Sequence, residues 1–220
     1  MSEIQLLERT ITGLHQSLIP HLPEISYDTS ILDIGCGSGA WLERLGKSGF
    51  KDLHGIDLDT KQFKSTKANC SQANLDDGDL GLKEKRFGLI TAIEIIEHLE
   101  NLGNFFNHVT KHLDENGYLL LTTPNIHSLD CRLRFLITGR LKSFDMKGDP
   151  THISPVLLAS LERILSRYSL EIVKQWGYPA KGSLVSRRFT TIAANILELA
   201  LPNSTAGDTL CLLIEKEKAR

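Results

Sequence analysis

The chain contains no CxxC pair, no apolar run long enough to cross a bilayer, no internal repeat and no marked excess of either charge. Its 4 cysteines, Cys36, Cys70, Cys131 and Cys211, are widely spaced, which argues against a zinc knuckle or a disulfide framework and for free thiols in a reducing compartment. A formal net charge of -2 withholds the basic excess of a duplex-binding protein, so nucleic acid is disfavoured as a partner. The opening residues break their apolar positions with Glu3, Glu8 and Arg9 and so lack a signal-peptide core. A cytoplasmic location is therefore expected, with any membrane contact confined to the surface. What remains is an ordinary globular composition, 41% hydrophobic and 24% charged over 220 residues, which suits one well-filled core and a single domain spanning 1–220.

Along the chain, strands and helices alternate. Apolar runs predict strands at 30–34, 52–57, 70–74, 87–93 and 117–122, with helices at 38–48, 60–68 and 101–113 between them. A further helix is expected over 154–167, capped by Ser154 with Pro155 in its first turn, followed by strands 169–176 and 208–214. Ile4, Leu7, Ile11, Leu14 and Leu18 predict a leading helix over 3–19, stopped by Pro20 and Pro23. This order implies an α/β fold, a mostly parallel sheet with helices on both faces. Two segments fall outside it, 124–153 and 178–207, and read as lid or cap insertions. The first leaves the carboxyl end of a strand, where open α/β sheets bind ligands, so it is the expected cover of a substrate. The second carries FTTIAANILELALP at 189–202, a buried cap, a dimer contact or a membrane-surface helix; its lack of a basic face favours the first two.

ILDIGCGSGA at 31–40 is the most informative stretch: a strand bearing Asp33, then Gly35, Gly37 and Gly39 opening a helix. Glycine tolerates positive φ and lacks a Cβ, so such a turn lets a ligand approach the backbone and is expected to offer it amides at the positive end of a helix. Nicotinamide enzymes use GxGxxG with an acidic residue about 20 residues on. Here the spacing is GxGxG, and the next strand ends in Asp57, placed to take both hydroxyls of a ribose. From Ser30 to Pro124 the pattern resembles the class I methyltransferases that bind S-adenosylmethionine, although a nicotinamide or other nucleotide site stays open. The resemblance implies a Rossmann-like seven-stranded sheet whose last strand runs antiparallel between the fifth and sixth. It places Asp33, Gly35, Gly37 and Gly39 along the methionyl group, Asp57 on the ribose, and Leu58 on the adenine face. Asn74 and Leu75 would stand at the adenine edge. Asn74 replaces the aspartate usual there, with Asp76 as an alternative, and FGLI at 87–90 replaces the usual FDLI, so that Gly88 should matter more to folding than to chemistry.

TAIEIIEHLEN at 91–101 follows the fourth strand and clusters Glu94, Glu97 and His98, at spacings that share one face of a helical turn. The cluster resembles the ExxEH pattern of ubiquinone-biosynthesis O-methyltransferases and of small-RNA terminal 2′-O-methyltransferases, in which it holds a divalent ion. Two readings stay open: a metal site of Glu94, Glu97, His98 and His152, preferred over His127, for magnesium, manganese or zinc; or His98 as general base, oriented by Glu97 or Glu94. The resemblance implies transfer of a methyl group, foremost to an oxygen of a small or carrier-linked acceptor, anionic or lipid- or glycan-like. Arg132, Arg134, Arg140, Lys142 and Lys147 in the first insertion would meet such an acceptor, or simply form a solvated face. A cofactor-binding module without turnover, and terminal 2′-O-methylation of short RNA, are the alternatives.

Overall fold

Four apolar runs, ILDI, LITAI, LLLTT and LCLLI, occupy the middle of the sheet because each can be buried on both faces. The computed structural model describes residues 6–77, 79–146, 148–184 and 206–217. The strands are β1 (Ser30–Ile34), β2 (Asp52–Asp57), β3 (Asn69–Gln72), β4 (Phe87–Ile93), β5 (Leu113–Pro124), β6 (Leu170–Tyr178) and β7 (Thr209–Lys216). They form one seven-stranded sheet in the order β3-β2-β1-β4-β5-β7-β6. β1 to β5 pair in parallel, and β7 lies antiparallel between β5 and β6. The sheet is thus the one the resemblance implied.

Successive side chains of a strand face opposite ways, and the sheet divides its apolar residues accordingly. Ile31, Leu89, Leu120 and Cys211 pack with α1 (Leu14–Leu18) and α2 (Ala40–Lys47) on one face. Leu32, Ile90, Leu121 and Leu212 pack with α3 (Leu102–His112) and α5 (Leu158–Arg167) on the other. Phe105 and Phe106 of α3 are wholly buried there, and truncating either to alanine costs about 3–5 kcal/mol. Gly88 fits the expectation that it serves folding: a Cβ on it would lie 2.5 Å from Thr29 Cγ2.

Three helix expectations need correction. Among the described residues the leading helix is only α1, because Gly13 takes φ +83 directly before it and Tyr178 packs where a Cβ would stand. Residues 6–12 instead run without helix past the glycine turn that follows β1, where Ser38 Oγ donates to Leu7 O. The 60–68 segment forms only a 3-10 turn, Thr60–Gln62, since Ser65 Oγ and Thr66 N both donate to Glu43 Oε2 on α2 and hold the chain extended. Ser154 does not cap α5: its hydroxyl donates to Leu99 O, and the helix starts at Leu158. The insertion after β5 carries one helix, α4 (Leu129–Thr138). The apolar stretch 189–202 lies outside the described residues. Among those described, no helix is long and apolar enough to cross a membrane.

Candidate active site

Strand order reverses at β1, which lies between β2 and β4; α2 after β1 and α3 after β4 pack on opposite faces, and a crevice opens beyond the carboxyl ends of these strands. It encloses about 720 Å³ and is lined by the glycine turn, the N-terminal segment and the lid. Asp33, Gly35, Gly37, Asp57, Glu94, His98 and His152 all face it. Gly39, Leu58, Asn74, Leu75 and Glu97 are not part of that lining.

The three glycines do different work. Gly35, at φ +76, lies so close to Ile95 that a Cβ would stand 2.2 Å from its Cγ1. Gly39, at φ +80, makes room for Phe63 and Ser65. Gly37, at φ +50, has nothing within 4 Å of where a Cβ would be, so its bare face opens on the crevice. Four of the turn's amides are already engaged: Gly35 N and Cys36 N donate to Ile56 O, Gly39 N to Cys36 O, and Gly37 N to Asp57 Oδ2 at 2.8 Å. What these four positions give a ligand is close approach.

Asp57 sits at the end of β2 with Oδ2 on Gly37 N and Oδ1 on Asp59 N, a carboxylate fixed in place at the crevice wall. Leu58 beside it is 65% exposed. Asp33 is 3% exposed and accepts from Thr91 Oγ1 at 2.6 Å. Burial pushes its pKa up to about 7; the Thr91 hydroxyl lowers it and Asp57 adds to the rise, with no cation among these influences. A buried carboxylate so placed suits a cationic ligand group. Asn74 and Leu75 follow β3 in a turn of their own: Asn74 Oδ1 accepts from Asp76 N, Asp76 in turn accepts from Asn101 N, and Asn104 Nδ2 donates to Leu75 O, folding this turn onto the start of α3.

On the opposite wall, Glu94 ends β4 in a left-handed conformation, φ +52, which a non-glycine residue adopts at a cost of about 1–2 kcal/mol. Its Oε1 accepts from Thr122 Oγ1 at 3.0 Å, and burial pushes its pKa up to about 7. Glu97, on the 3-10 turn Ile96–His98, is wholly buried, and neither carboxylate oxygen has a hydrogen-bond partner. Burial first, and Glu94 second, drive its pKa well up. One oxygen of Glu97 and one nitrogen each of His98 and His152 lie within 4.8 Å of one another. Glu94 does not join that group, being held by Thr122. The imidazoles meet edge to face, centroids 4.7 Å apart. Burial, with His152 beside it, lowers the pKa of His98. His127, by contrast, accepts from Leu158 N through Nε2 and serves the first turn of α5.

Sequence reasoning missed the groups that hold this wall. His98 Nδ1 lies 2.8 Å from Thr151 Oγ1 and 3.2 Å from Thr151 O, and His152 Nδ1 donates to Ser143 O. Only the adjacency of Thr151 to His152 in DPTHISP could have hinted at them. Two lid cations expected to meet an acceptor are otherwise engaged: Arg134 pairs with Asp145, and Lys142 with Asp130 and with Asp208 at 2.6 Å.

The family model described as a methyltransferase domain matches residues 7–175. The ubiquinone biosynthesis O-methyltransferase of Rickettsia conorii is 29% identical over 103 residues, 43% of this chain and 35% of that protein. The human mitochondrial protein of that name is 29% identical over 153 residues, 64% of this chain and 41% of its own length. The chain thus spans less than half the length of these curated relatives. A SAM dependent methyltransferase from Archaeoglobus fulgidus shares the fold, with a TM-score of 0.63 at 22% identity over 92% of both chains.

Proposed function

The chain belongs to the methyltransferase-domain family, and from that premise we propose that it binds S-adenosylmethionine in this crevice and methylates an oxygen of a small or carrier-linked acceptor. The observation that carries the reading is the open face of Gly37 held against the fixed carboxylate of Asp57. A ligand there meets bare backbone and a bidentate acceptor for two hydroxyls. Asp57 would take the ribose, Leu58 would flank the adenine, and Asp33 would meet the ammonium of the methionyl group, directly or through water. Asn74 and Leu75, in the turn after β3, would stand at the adenine edge.

When bound, the cofactor supplies an electrophilic methyl group on a sulfonium. The chain's own task is to hold the acceptor in line and to take its proton. His98, neutral near pH 7 because its pKa is lowered, suits the general base: the acceptor O–H gives its proton to Nε2 as the oxygen takes the methyl. A second reading is favoured by the partnerless carboxylate of Glu97 beside two imidazoles. Glu97, His98 and His152 would then hold magnesium, manganese or zinc, and such an ion would acidify the acceptor hydroxyl. Glu97 would give up the proton that burial favours, which makes binding of the ion pH-dependent.

Titration calorimetry with S-adenosylmethionine, S-adenosylhomocysteine and NAD tests the cofactor. Binding of the first two without NAD is expected; NAD binding alone would overturn the reading. Manganese titration of the wild type and Glu97→Gln tests the ion. Heat lost in the variant supports it, and no heat in either removes it.

A further inference from the structure

We propose that Asp149 and Thr151 of the lid are positioning residues that fix the tautomer of His98, leaving Nε2 with its lone pair toward the crevice. The chain of donors requires it. Thr151 Oγ1 lies 2.6 Å from Asp149 Oδ1. A carboxylate only accepts, so the single hydroxyl proton of Thr151 is committed to Asp149. At its contact with His98 Nδ1, 2.8 Å away, Thr151 Oγ1 must then accept. The carbonyl of Thr151, 3.2 Å from the same nitrogen, can do nothing else. Both neighbours therefore call for a proton on Nδ1, and in a neutral imidazole the other nitrogen is then bare.

The consequence couples the lid to the chemistry. Asp149 and Thr151 belong to the insertion, whereas His98 follows β4, so the imidazole is set for proton uptake or for holding a ligand only when the lid segment lies where it does. The two contacts of His98 also differ in kind. The carbonyl survives any substitution at Thr151, while the hydroxyl is safe only as long as Asp149 takes its proton. Released from Asp149, that hydroxyl can donate to Nδ1 and favour the wrong tautomer. Asp149 therefore matters more than the hydroxyl it holds.

The proposal rests on His98 being the imidazole that meets the acceptor, and its test is independent of turnover. Histidine-labelled protein with ¹⁵N, free of metal at pH 8, reports which ring nitrogen of each neutral imidazole carries the proton. The wild type is expected to show His98 protonated on Nδ1. Asp149→Ala should add a measurable share of the Nε2-protonated form to the His98 signal, and Asp149→Ala combined with Thr151→Val should restore the Nδ1-protonated form, because the stray donor is gone. Thr151→Val alone should leave the tautomer unchanged. Asp149 is exposed, so the fold should tolerate its loss. A wild-type His98 protonated on Nε2, or an Asp149→Ala protein with the wild-type ratio, would overturn the proposal. Absence of S-adenosylmethionine binding in the same samples would instead sink the cofactor reading and leave the tautomer result standing.

Discussion

On the Asp57 side of the crevice the wall is largely backbone, built from residues 33–39 and the end of the next strand; on the His98 side it is side chains drawn from the segment after β4, from β5 and from a lid 53 residues beyond His98. The first wall is local and largely paired within itself: each amide of Gly35, Cys36, Gly37 and Gly39 has an acceptor. The second is left unfinished, with a buried carboxylate lacking partners and a strained Glu94. On the proposed reading the largely paired wall is the recognition wall, because a ligand can add to it without rearrangement, and the unfinished one is the reactive wall, because its free groups gain a partner only when something else arrives.

The comparison breaks most visibly if the two walls fail to separate. His98→Ala and Glu97→Gln should each lower single-turnover methyl transfer by about 10²–10⁴-fold while leaving the calorimetric affinity for S-adenosylmethionine unchanged. An equal loss of affinity would merge the walls into one function. Next in size is the one unsettled charge on the recognition side. Because the folded pKa of Asp33 is raised from 3.8 to about 7, its contribution to stability is complete below pH 4 and is lost as pH rises through 7. The full shift corresponds to about 4 kcal/mol. Asp33→Asn should flatten the fall in urea stability between pH 5 and pH 8; parallel curves for wild type and variant would show that Asp33 carries no such burden.

Asp57→Ala should weaken cofactor binding by about 1.5–3 kcal/mol, the value of hydrogen bonds to a charged group, with the tautomer of His98 unaltered. Tautomer change in that variant would couple the walls. The smallest effect contrasts two glycines. Both positions incur the backbone preference, about 1–2 kcal/mol; Gly35→Ala also meets Ile95 and should lose about 1–3 kcal/mol of stability more, whereas Gly37→Ala meets no side chain and should cost that preference alone. Binding should suffer more in the second; the reverse order would mean that Gly37 does not face the ligand.

The recognition wall was legible because it is written in consecutive residues. Asp33, the glycines and Asp57 are fixed by strand ends, and the apolar runs of β1, β4, β5 and β7 declare a sheet buried on both faces. What the glycine spacing could not reveal was the fate of the amides, which depends on Ile56 and Asp57 arriving from the neighbouring strand. The leading helix was misread because its periodic apolar residues ignore Gly13, whose backbone is set by Tyr178 far along the chain. Ser154 looks like a cap until Leu99 takes its hydroxyl. The reactive wall was half legible: EIIEH and His152 stand out as types, but Asp149 and Thr151 carry no pattern, and only the lid's tertiary path brings them to His98.

A crystal structure with S-adenosylhomocysteine addresses the central claim most directly. The account predicts both ribose hydroxyls on the carboxylate of Asp57, the amino acid end beside Asp33, and the sulfur turned toward His98 across the bare face of Gly37. An adenosyl group seated elsewhere, with Asp57 still bonded only to the Gly37 and Asp59 amides, would contradict it.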